Sequence, residues 1–312
     1  MFVCGIDENG LGPRLGPLVV TGVLVETAGP NYAAPDLWRL SAPDHPVRDS
    51  KALFKPDQMA RAEAATLPWI RAAVGDAASE IRLHEKMVLN HPVFSTRDCP
   101  ACAEALCAAR DLALPRWMSQ DESQDLGACK EKISSILLSS RARIALMKSM
   151  VLCPARFNRE VVRLGKLFLD FKLFMDLAVE VRKHAGRDLL FLCGKIGSTQ
   201  KYGAWFEALG LKAEARLETR PESAYLVEGL GEVRFIRDAD ASHFPVALAS
   251  MAGKYLRELA MDRLNAALRS WQLDIRSWVS GYPGERTNEA IRVSIAARDR
   301  LGLPLECFVR IR

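Results

Sequence analysis

Residues 2–26 read FVCGIDENGLGPRLGPLVVTGVLVE, two apolar runs separated by a turn rich in glycine. The first run, FVCGID (2–7), predicts a short buried strand. The second run, PLVVTGVLVE (17–26), predicts another strand, because β-branched residues favour extended structure. Glycine and proline in ENGLGPRLG (8–16) mark the turn between them. Two strands joined in this way predict a β-hairpin in the centre of a sheet.

Two acidic residues, Asp7 and Glu8, close the first predicted strand. Neighbouring residues of a strand point to opposite faces, but at a strand end that runs into a turn both can converge on one site. Asp240 closes another predicted strand, 231–240. Hard divalent cations prefer carboxylate oxygens, and two such ions support phosphodiester cleavage. The alternative is that these are solvated loop acids, since Asp and Glu are usually exposed.

The remaining sequence alternates between helical and strand patterns. Residues 27–48 are rich in Pro, Ala and Asp and predict a loop, and 187–193 predict a buried strand. Helical patterns cover 55–67, 133–150, 159–184, 201–210, 244–271 and a final segment after residue 287. This order predicts an α/β protein with a mixed sheet flanked by helices and with C-terminal helices.

Composition sets further limits on the class of protein. The chain has 312 residues, 49% hydrophobic and 26% charged, which is typical of a globular protein. No apolar run approaches the ~18–20 residues of a membrane span, and no signal peptide precedes the first strand, so we expect a cytoplasmic protein without a membrane partner. The net charge of +5 suits a nucleic-acid partner.

Residues 91–150 differ in character from their flanks and contain CPAC (99–102). We therefore predict a main domain of residues 1–90 and 151–312, interrupted by a mainly helical, cysteine-bearing module at 91–150. Four thiolates in this module are candidates for a structural zinc site, in which they would be tetrahedral ligands. The alternative is cysteines without a metal, because the sequence lacks a second close pair. The candidates are Cys99, Cys102, Cys107 and Cys129.

Four blocks of the sequence together resemble the type 2 ribonucleases H. They are IDENGLGP (6–13), RDSKAL (48–53), IRDADASHFPVALASMAGKYLREL (236–259) and SGYPGERT (280–287). The resemblance implies a ribonuclease H-like fold, with a mixed five-stranded sheet beneath the site. It also implies an endonuclease that uses Mg²⁺ or Mn²⁺. Such an enzyme cuts the RNA strand of RNA–DNA hybrids, or cuts 5′ of a ribonucleotide embedded in duplex DNA.

The resemblance assigns metal binding to three acids, Asp7, Glu8 and Asp240. It assigns to Gly10 and Gly12 a turn whose backbone approaches the ribose. Amide groups of that turn would be able to read the 2′-hydroxyl, which distinguishes RNA from DNA.

The resemblance further implies that Ser50 and Lys51, from the Asp-Ser-Lys block, and Lys254 lie near phosphates. A lysine ammonium there favours the anionic backbone. Tyr282 matches a tyrosine that packs on the sugar at the cleavage site. Its alternative is a turn aromatic stacked on Pro283.

Two positions depart from the family pattern. Cys193 stands where the resemblance places a further catalytic aspartate, and a thiolate is a poor ligand for Mg²⁺. Alternatively it is a small buried residue that packs the strand. Asp188 cannot replace it, because five strand residues separate them by ~16 Å. Leu11 replaces the arginine of the glycine turn, and Arg14 is a candidate to supply that charge.

These departures leave three functional classes open. The first is a metal-dependent ribonuclease H, which we expect to act as a monomer on its duplex. The second is a catalytically weakened or inactive nucleic-acid-binding protein on the same fold. The third is a nuclease or resolvase acting on other substrates. A one-metal site made by the three remaining acids is an intermediate possibility.

Overall fold

The computed structural model of the chain describes residues 1–28, 47, 50–89, 109–186, 189–271 and 278–311. The strands in this part form one mixed sheet in the order β3-β2-β1-β4-β7-β6-β5. They are β1 (Phe2–Asn9), β2 (Leu18–Thr27), β3 (Ala142–Leu152), β4 (Leu189–Gly194), β5 (Ala213–Glu218), β6 (Glu222–Val227) and β7 (Gly231–Ile236).

Helices cover both faces of the sheet and follow its last strand. In the described residues they are α1 (Ser50–Leu53), α2 (Met59–Val74), α3 (Glu80–Met87), α4 (Gln120–Gln124), α5 (Leu126–Ser139), α6 (Pro154–Leu164), α7 (Lys166–Arg182), α8 (Gly203–Ala208), α9 (Ala239–Ser242), α10 (Phe244–Ser270), α11 (Glu285–Val293), α12 (Ile295–Leu301) and α13 (Leu305–Phe308). The predicted α/β class, with a mixed sheet flanked by helices and C-terminal helices, is confirmed. No helix in the described ranges is both long and apolar enough to cross a membrane.

The predicted hairpin lies inside the sheet, between β3 and β4. β1 and β2 are antiparallel, β2 pairs with β3 in the same sense, and β1, β4 and β7 run parallel. These five strands give the expected mixed five-stranded sheet. β6 and β5 extend it beyond β7 as antiparallel strands, which the sequence reading did not predict. The parallel arrangement brings the C-terminal ends of β1 and β4 to the same edge.

Helix α10 crosses one face of the sheet at very short distance. A β-carbon on Gly5 of β1 would lie 2.2 Å from the backbone carbon of Pro245. Further along the helix, a β-carbon on Gly253 would lie 2.7 Å from Oγ1 of Thr21. Such contacts are shorter than van der Waals separation, so helix and sheet approach this closely only because both positions are glycine. The close approach fixes the start of α10 beside the ends of β1 and β4.

Helix α7 packs on the opposite face of the sheet. Phe171 and Phe174 of α7 lie in one buried cluster with Ile6 of β1 and Cys193 of β4. Buried aromatic rings of α8, β6 and β7 extend this cluster, and Tyr202 stacks on Phe235 with ring centroids 3.9 Å apart. The alternation of β1 therefore directs its even-numbered residues toward α7.

Strand β3 corrects the helical prediction for residues 133–150. Helix α5 ends at Ser139, and Arg141 takes a left-handed conformation with φ 51° that turns the chain into the strand. From Ala142 the residues pair with β2, and Met147 and Val151 are buried against it. Tertiary pairing thus overrides a local pattern that is compatible with a helix.

Two other predicted elements are divided or shortened. The predicted helix at 159–184 is two helices, α6 and α7, because Gly165 between them has φ 77°. The predicted strand at 231–240 ends at Ile236. Asp238 then adopts a left-handed conformation with φ 54°, and Asp240 lies in the short helix α9 rather than on the strand.

The predicted module at 91–150 is wrong at its C-terminal boundary, because β3 belongs to the central sheet. Helix α5 also shares a hydrophobic cluster with α2 and α10, through Leu126, Ile133 and Leu137. Cys129 lies on α5 and is partly exposed. The other candidate zinc ligands, Cys99, Cys102 and Cys107, lie outside the described residues, as does Asp188, so the zinc site stays a prediction.

Candidate active site

A cavity of about 240 Å³ opens at the C-terminal ends of β1 and β4 and at the start of α10. Its lining comes from distant parts of the chain, among them residues 7–12 and 238–254. The cavity brings together the following residues predicted from the sequence: Asp7, Glu8, Gly10, Leu11, Gly12, Ser50, Lys51, Asp240, Lys254 and Tyr282.

Asp7 and Glu8 both reach this cavity, although they are neighbours on β1. Burial raises the pKa of Asp7 well above its ordinary value, and the Glu8 carboxylate raises it further. Burial also raises the pKa of Glu8, with a second contribution from a buried carboxylate on α7, Asp170. Lys51 opposes both shifts. Negative charge is therefore concentrated here at a cost that a bound cation would offset.

Asp240 reaches the same cavity from the other side, carried by the short helix α9. It interacts repulsively with Asp7 and Glu8, contributing to the raised pKa of each. Asp238, two residues earlier, also lines the cavity and is exposed. The left-handed turn at Asp238 replaces the last residues of the predicted strand and brings Asp240 toward β1.

A chain of hydroxyl groups holds Asp7 in place. The Ser250 side chain of α10 hydrogen-bonds the Asp7 carboxylate and lowers its pKa, against the larger effect of burial. Ser250 Oγ lies 3.0 Å from Ser50 Oγ. The Ser250 carbonyl accepts a hydrogen bond of 3.0 Å from the side chain of Asn9. The predicted Ser50 is therefore buried and supports Asp7 through Ser250, while Lys51 beside it is exposed at the cavity.

Residues near the C-terminus hold the glycine turn in place. Gly10 has φ +95°, and a β-carbon there would lie 2.7 Å from both Arg257 Nε and the Pro17 carbonyl oxygen. The buried Arg310 guanidinium donates hydrogen bonds to the carbonyl oxygens of Gly10 and Leu11. Because these carbonyls point away to Arg310, the turn has a defined orientation at the cavity.

Lys254 and Tyr282 close the cavity on the side of α10. Lys254 Nζ makes an ion pair of 2.8 Å with Glu258 and lies 5.8 Å from the centre of the Tyr282 ring. Arg257 lies 5.4 Å from the same ring. Tyr282 is 43% exposed, and its edge is 4.0 Å from the position of a β-carbon on Gly12. The ring thus stands beside the glycine turn, with cations behind it.

Cys193 does not line the cavity, which corrects its placement as a site residue. It pairs with Ile6 in the parallel register, and its side chain is fully buried in the cluster on the α7 face. Burial raises the pKa of this thiol well above its ordinary value. The residue that faces the acids is Gly194: a β-carbon there would lie 2.8 Å from Oδ1 of Asp7. Cys193 and Gly194 are neighbours on β4, so their side-chain positions lie on opposite faces of the sheet.

Arg14 is not among the residues that line the cavity, and its role as the cation that Leu11 lacks stays a prediction. Its guanidinium donates a hydrogen bond of 2.6 Å to Asn288, and its backbone NH bonds the Gly281 carbonyl. Arg310 is the arginine that binds the glycine turn, at the carbonyl oxygens of Gly10 and Leu11. Arg14 instead connects the turn to the segment that carries Tyr282.

Several residues of the site were not identified from the sequence. Gly194 was not considered, because strand register cannot be read from a short apolar run. Ser250 is one of many small residues in α10, and Arg310 is the third residue from the end of the sequence. Asp170 sits in a helix that is otherwise hydrophobic around it, LFLDFKLF (167–174), and this isolated acid was a usable signal.

The acids present suit a hard divalent cation, since carboxylates are its preferred ligands and three of them share one cavity. Within the described residues, no three His, Cys, Asp or Glu side chains have an arrangement that could hold a metal ion. Cation binding therefore requires side-chain rotation of Asp7, Glu8 and Asp240 toward a common centre.

Comparisons with solved structures give similarities over nearly the whole chain. RNase HII from Archaeoglobus fulgidus, solved in a complex with PCNA, is 16% identical, with 100% of this chain and 95% of that chain covered and a TM-score of 0.45. Ribonuclease H2 from Pyrococcus horikoshii OT3 is 17% identical, with 98% and 91% covered and a TM-score of 0.45. Bst-RNase HIII in complex with Mn²⁺ is 14% identical, with 100% and 66% covered and a TM-score of 0.44. No protein-family model matches the sequence, and no curated protein matches it.

Proposed function

We propose that this protein is a metal-dependent endonuclease resembling ribonuclease HII, acting on RNA–DNA hybrids or 5′ of ribonucleotides in duplex DNA. The observation that carries the proposal is the convergence of Asp7, Glu8 and Asp240 in one cavity with the Gly10–Gly12 turn. A protein that only binds nucleic acid gains nothing from carboxylates facing phosphates. The acids instead suit Mg²⁺ or Mn²⁺ at the scissile phosphate.

Asp7, Glu8 and Asp240 are the residues that would hold the cations. When bound there, divalent cations make an attacking water more acidic and stabilise the leaving oxygen in phosphodiester cleavage. Ser250 keeps the Asp7 carboxylate oriented through its hydrogen bond, and Ser50 orients Ser250 in turn. This support from buried hydroxyls matters because metal affinity depends on how well ligands are held.

The cations of the chain are placed to position the phosphate backbone. Lys51 is exposed at the cavity, and Lys254 lies behind Tyr282 with its charge partly balanced by Glu258. A lysine ammonium near the scissile strand attracts phosphates without demanding a fixed geometry. Lys51 and Lys254 thus line the same cavity as the acids and would align a nucleic-acid strand across them.

Selection of ribose is assigned to the glycine turn and the neighbouring tyrosine. Arg310 fixes the carbonyl groups of the turn away from the cavity, and Gly12 leaves its backbone open beside Tyr282. An exposed backbone of this kind is able to contact a 2′-hydroxyl, and the aromatic ring gives the sugar a surface to pack on. The combination favours a substrate that contains at least one ribonucleotide.

One observation supports a second candidate, a nucleic-acid-binding protein with weak or no cleavage. Gly194 occupies the position on β4 that faces Asp7, so no carboxylate reaches the acids from this strand. A site that has lost a ligand binds its cations less tightly. The two candidates share the same duplex and differ in whether the strand is cut.

The test uses three labelled duplexes of one sequence: DNA with a single ribonucleotide, an RNA–DNA hybrid, and DNA alone. Each is incubated with the full-length protein in Mg²⁺ and in Mn²⁺, and binding is measured on the same samples. We expect cleavage of the duplexes that contain ribose, faster in Mn²⁺, and none of the DNA duplex. Asp7→Asn should bind without cutting, whereas Asp57→Asn, at an exposed position, should behave as wild type.

Binding of duplex without cleavage in either metal would select the second candidate. Equal cleavage of the DNA duplex would instead indicate a nuclease or resolvase of broader specificity. Cleavage that persists in Asp7→Asn would contradict the assignment of Asp7 as a metal ligand.

A further inference from the structure

Asp170 is a carboxylate buried in the core of the protein. It lies on α7, is fully buried, and stands between Leu169 and Phe171 in a hydrophobic cluster. Within the described residues, neither of its carboxylate oxygens has a hydrogen-bond partner. Burying a carboxylate in this way is costly, and buried polar groups that remain unpaired usually have a specific function.

The position of Asp170 relates it directly to the acids of the cavity. α7 packs on the sheet face to which β1 directs its even-numbered residues. Glu8 is the last of these residues, and it is acidic. Asp170 and Glu8 repel each other electrostatically, and Asp170 is similarly coupled to Asp7. Asp170 is therefore close enough to Glu8 and Asp7 for their charges to interact, although it does not line the cavity itself.

The charges that surround Asp170 do not neutralise it through contact. Lys166, one turn earlier on α7, and Arg310, from the C-terminal end, are the cations near enough to favour its ionised form. Arg310 donates its hydrogen bonds to the glycine turn. It also stacks on Phe157, with 3.7 Å between its Cζ and the ring centre. Neither cation forms an ion pair with Asp170 among the described contacts.

We propose, building on the nuclease function above, that Asp170 supplies the carboxylate that β4 lacks at Gly194, and that with Glu8 it completes a site for a second divalent cation. Gly194 lines the cavity without a side chain, and the Asp7 and Glu8 carboxylates stand directly beside it. Asp170 lies on α7, which packs on the sheet face toward which Glu8 points, and a cation between these two acids would give its oxygens the partners that they lack. Asp7 and Asp240 then hold the other cation nearer the opening of the cavity.

The proposal is tested by counting Mn²⁺ ions bound by metal-free, full-length protein, with calorimetry and with the free-Mn²⁺ signal in electron paramagnetic resonance. Wild type should bind two ions. Asp170→Asn, which keeps the shape and removes the charge, should weaken the second ion about tenfold or more. Asp176→Asn is the matched control, because Asp176 is on the same helix but is 39% exposed and pairs with Lys172.

A rescue variant separates a ligand from a structural residue. Gly194→Asp in the Asp170→Asn background should restore the second ion, because the new carboxylate would face Asp7 and Glu8. Thermal unfolding of each variant without metal checks the fold, and Asp170→Asn should melt at an equal or higher temperature than wild type.

The outcomes also separate this proposal from the proposed function. If Asp170→Asn binds two Mn²⁺ ions as wild type does, or if wild type binds fewer than two, Asp170 is not a ligand and the proposal is overturned. Cleavage of ribose-containing duplex by such a protein would leave the nuclease function intact. Loss of one ion in Asp170→Asn, in a protein that cuts no duplex, would support the metal site and reject the nuclease function.

Discussion

The residue that changes the account of the site most is Gly194. Sequence alone places Cys193 at the missing acid, but the parallel register with β1 directs its side chain into the apolar cluster on the α7 face. Gly194 faces Asp7 instead. The residue of β4 beside the acids is therefore a glycine, and the buried Cys193 thiol lies outside the cavity lining.

This distinction gives a prediction on two adjacent variants. Cys193→Asp should destabilise the protein by about 3 kcal/mol or more, because it places a carboxylate in an apolar cluster. Gly194→Asp should fold, since its nearest contact is the mobile carboxylate of Asp7, and it should strengthen Mn²⁺ binding and speed cleavage. Chemical denaturation and Mn²⁺ titration measure these effects. A stable Cys193→Asp with stronger Mn²⁺ binding would contradict the assignment of faces.

The buried acids also predict how stability depends on pH in the metal-free protein. Burial raises the pKa of Asp7, Glu8 and Asp170 above the values of about 4 that they have when unfolded. The folded protein therefore binds more protons than the unfolded protein above about pH 4, so the free energy of unfolding falls as pH rises.

We expect the metal-free protein to melt at a lower temperature at pH 8 than at pH 5.5. The decrease should be smaller in Asp170→Asn, which lacks one of the raised groups, and smaller again when Mn²⁺ is added to wild type. Melting curves at a series of pH values measure this. Equal slopes in wild type and Asp170→Asn would show that Asp170 titrates normally.

Among the elements, the β1–β2 hairpin and helix α10 were predictable from sequence, and β3 was not. The hairpin has apolar runs separated by glycine, and α10 keeps an apolar pattern over 27 residues. Residues 142–152 lack a comparable signal, since their extended form depends on pairing with β2. β5 was missed for a related reason: as the edge strand it is largely exposed and carries no buried run.

The close contact between α10 and β1 predicts that Gly5 tolerates no larger residue. Gly5→Ala should cost about 3 kcal/mol or more, because its β-carbon would meet the backbone of Pro245 and Val246, which cannot move cheaply. Gly127→Ala in α5 is the matched control, since nothing lies within 4 Å of its β-carbon, and alanine there should be neutral or gain up to about 1 kcal/mol. Urea denaturation compares the two, and equal stability would contradict the packing described.

In the whole molecule, the site is assembled from both ends of the chain. Arg310 contacts the carbonyl oxygens of Gly10 and Leu11, three hundred residues earlier, and Asn158 binds the backbone of the same C-terminal segment at Val309 and Ile311. Four short motifs predicted which residues converge. They did not predict what supports them, because a contact between distant segments leaves no local pattern in one sequence.

Removing this support should affect both stability and cleavage. Arg310→Met leaves two buried carbonyl groups without their donor, so we expect a loss of roughly 2–4 kcal/mol and slower cleavage of the single-ribonucleotide duplex. Arg300→Met, at an exposed position of α12, should change neither. If cleavage by Arg310→Met is unchanged at a temperature where it is folded, the turn does not depend on the C-terminal segment.

The most direct test of the central claim is the initial rate of strand cleavage in Mn²⁺ for a duplex with one ribonucleotide, relative to the same duplex made of DNA alone. We expect cleavage at the ribonucleotide for wild type, none for the DNA duplex, and loss of cleavage with retained binding for Asp7→Asn. Wild-type protein that binds the single-ribonucleotide duplex but leaves it intact would contradict the claim.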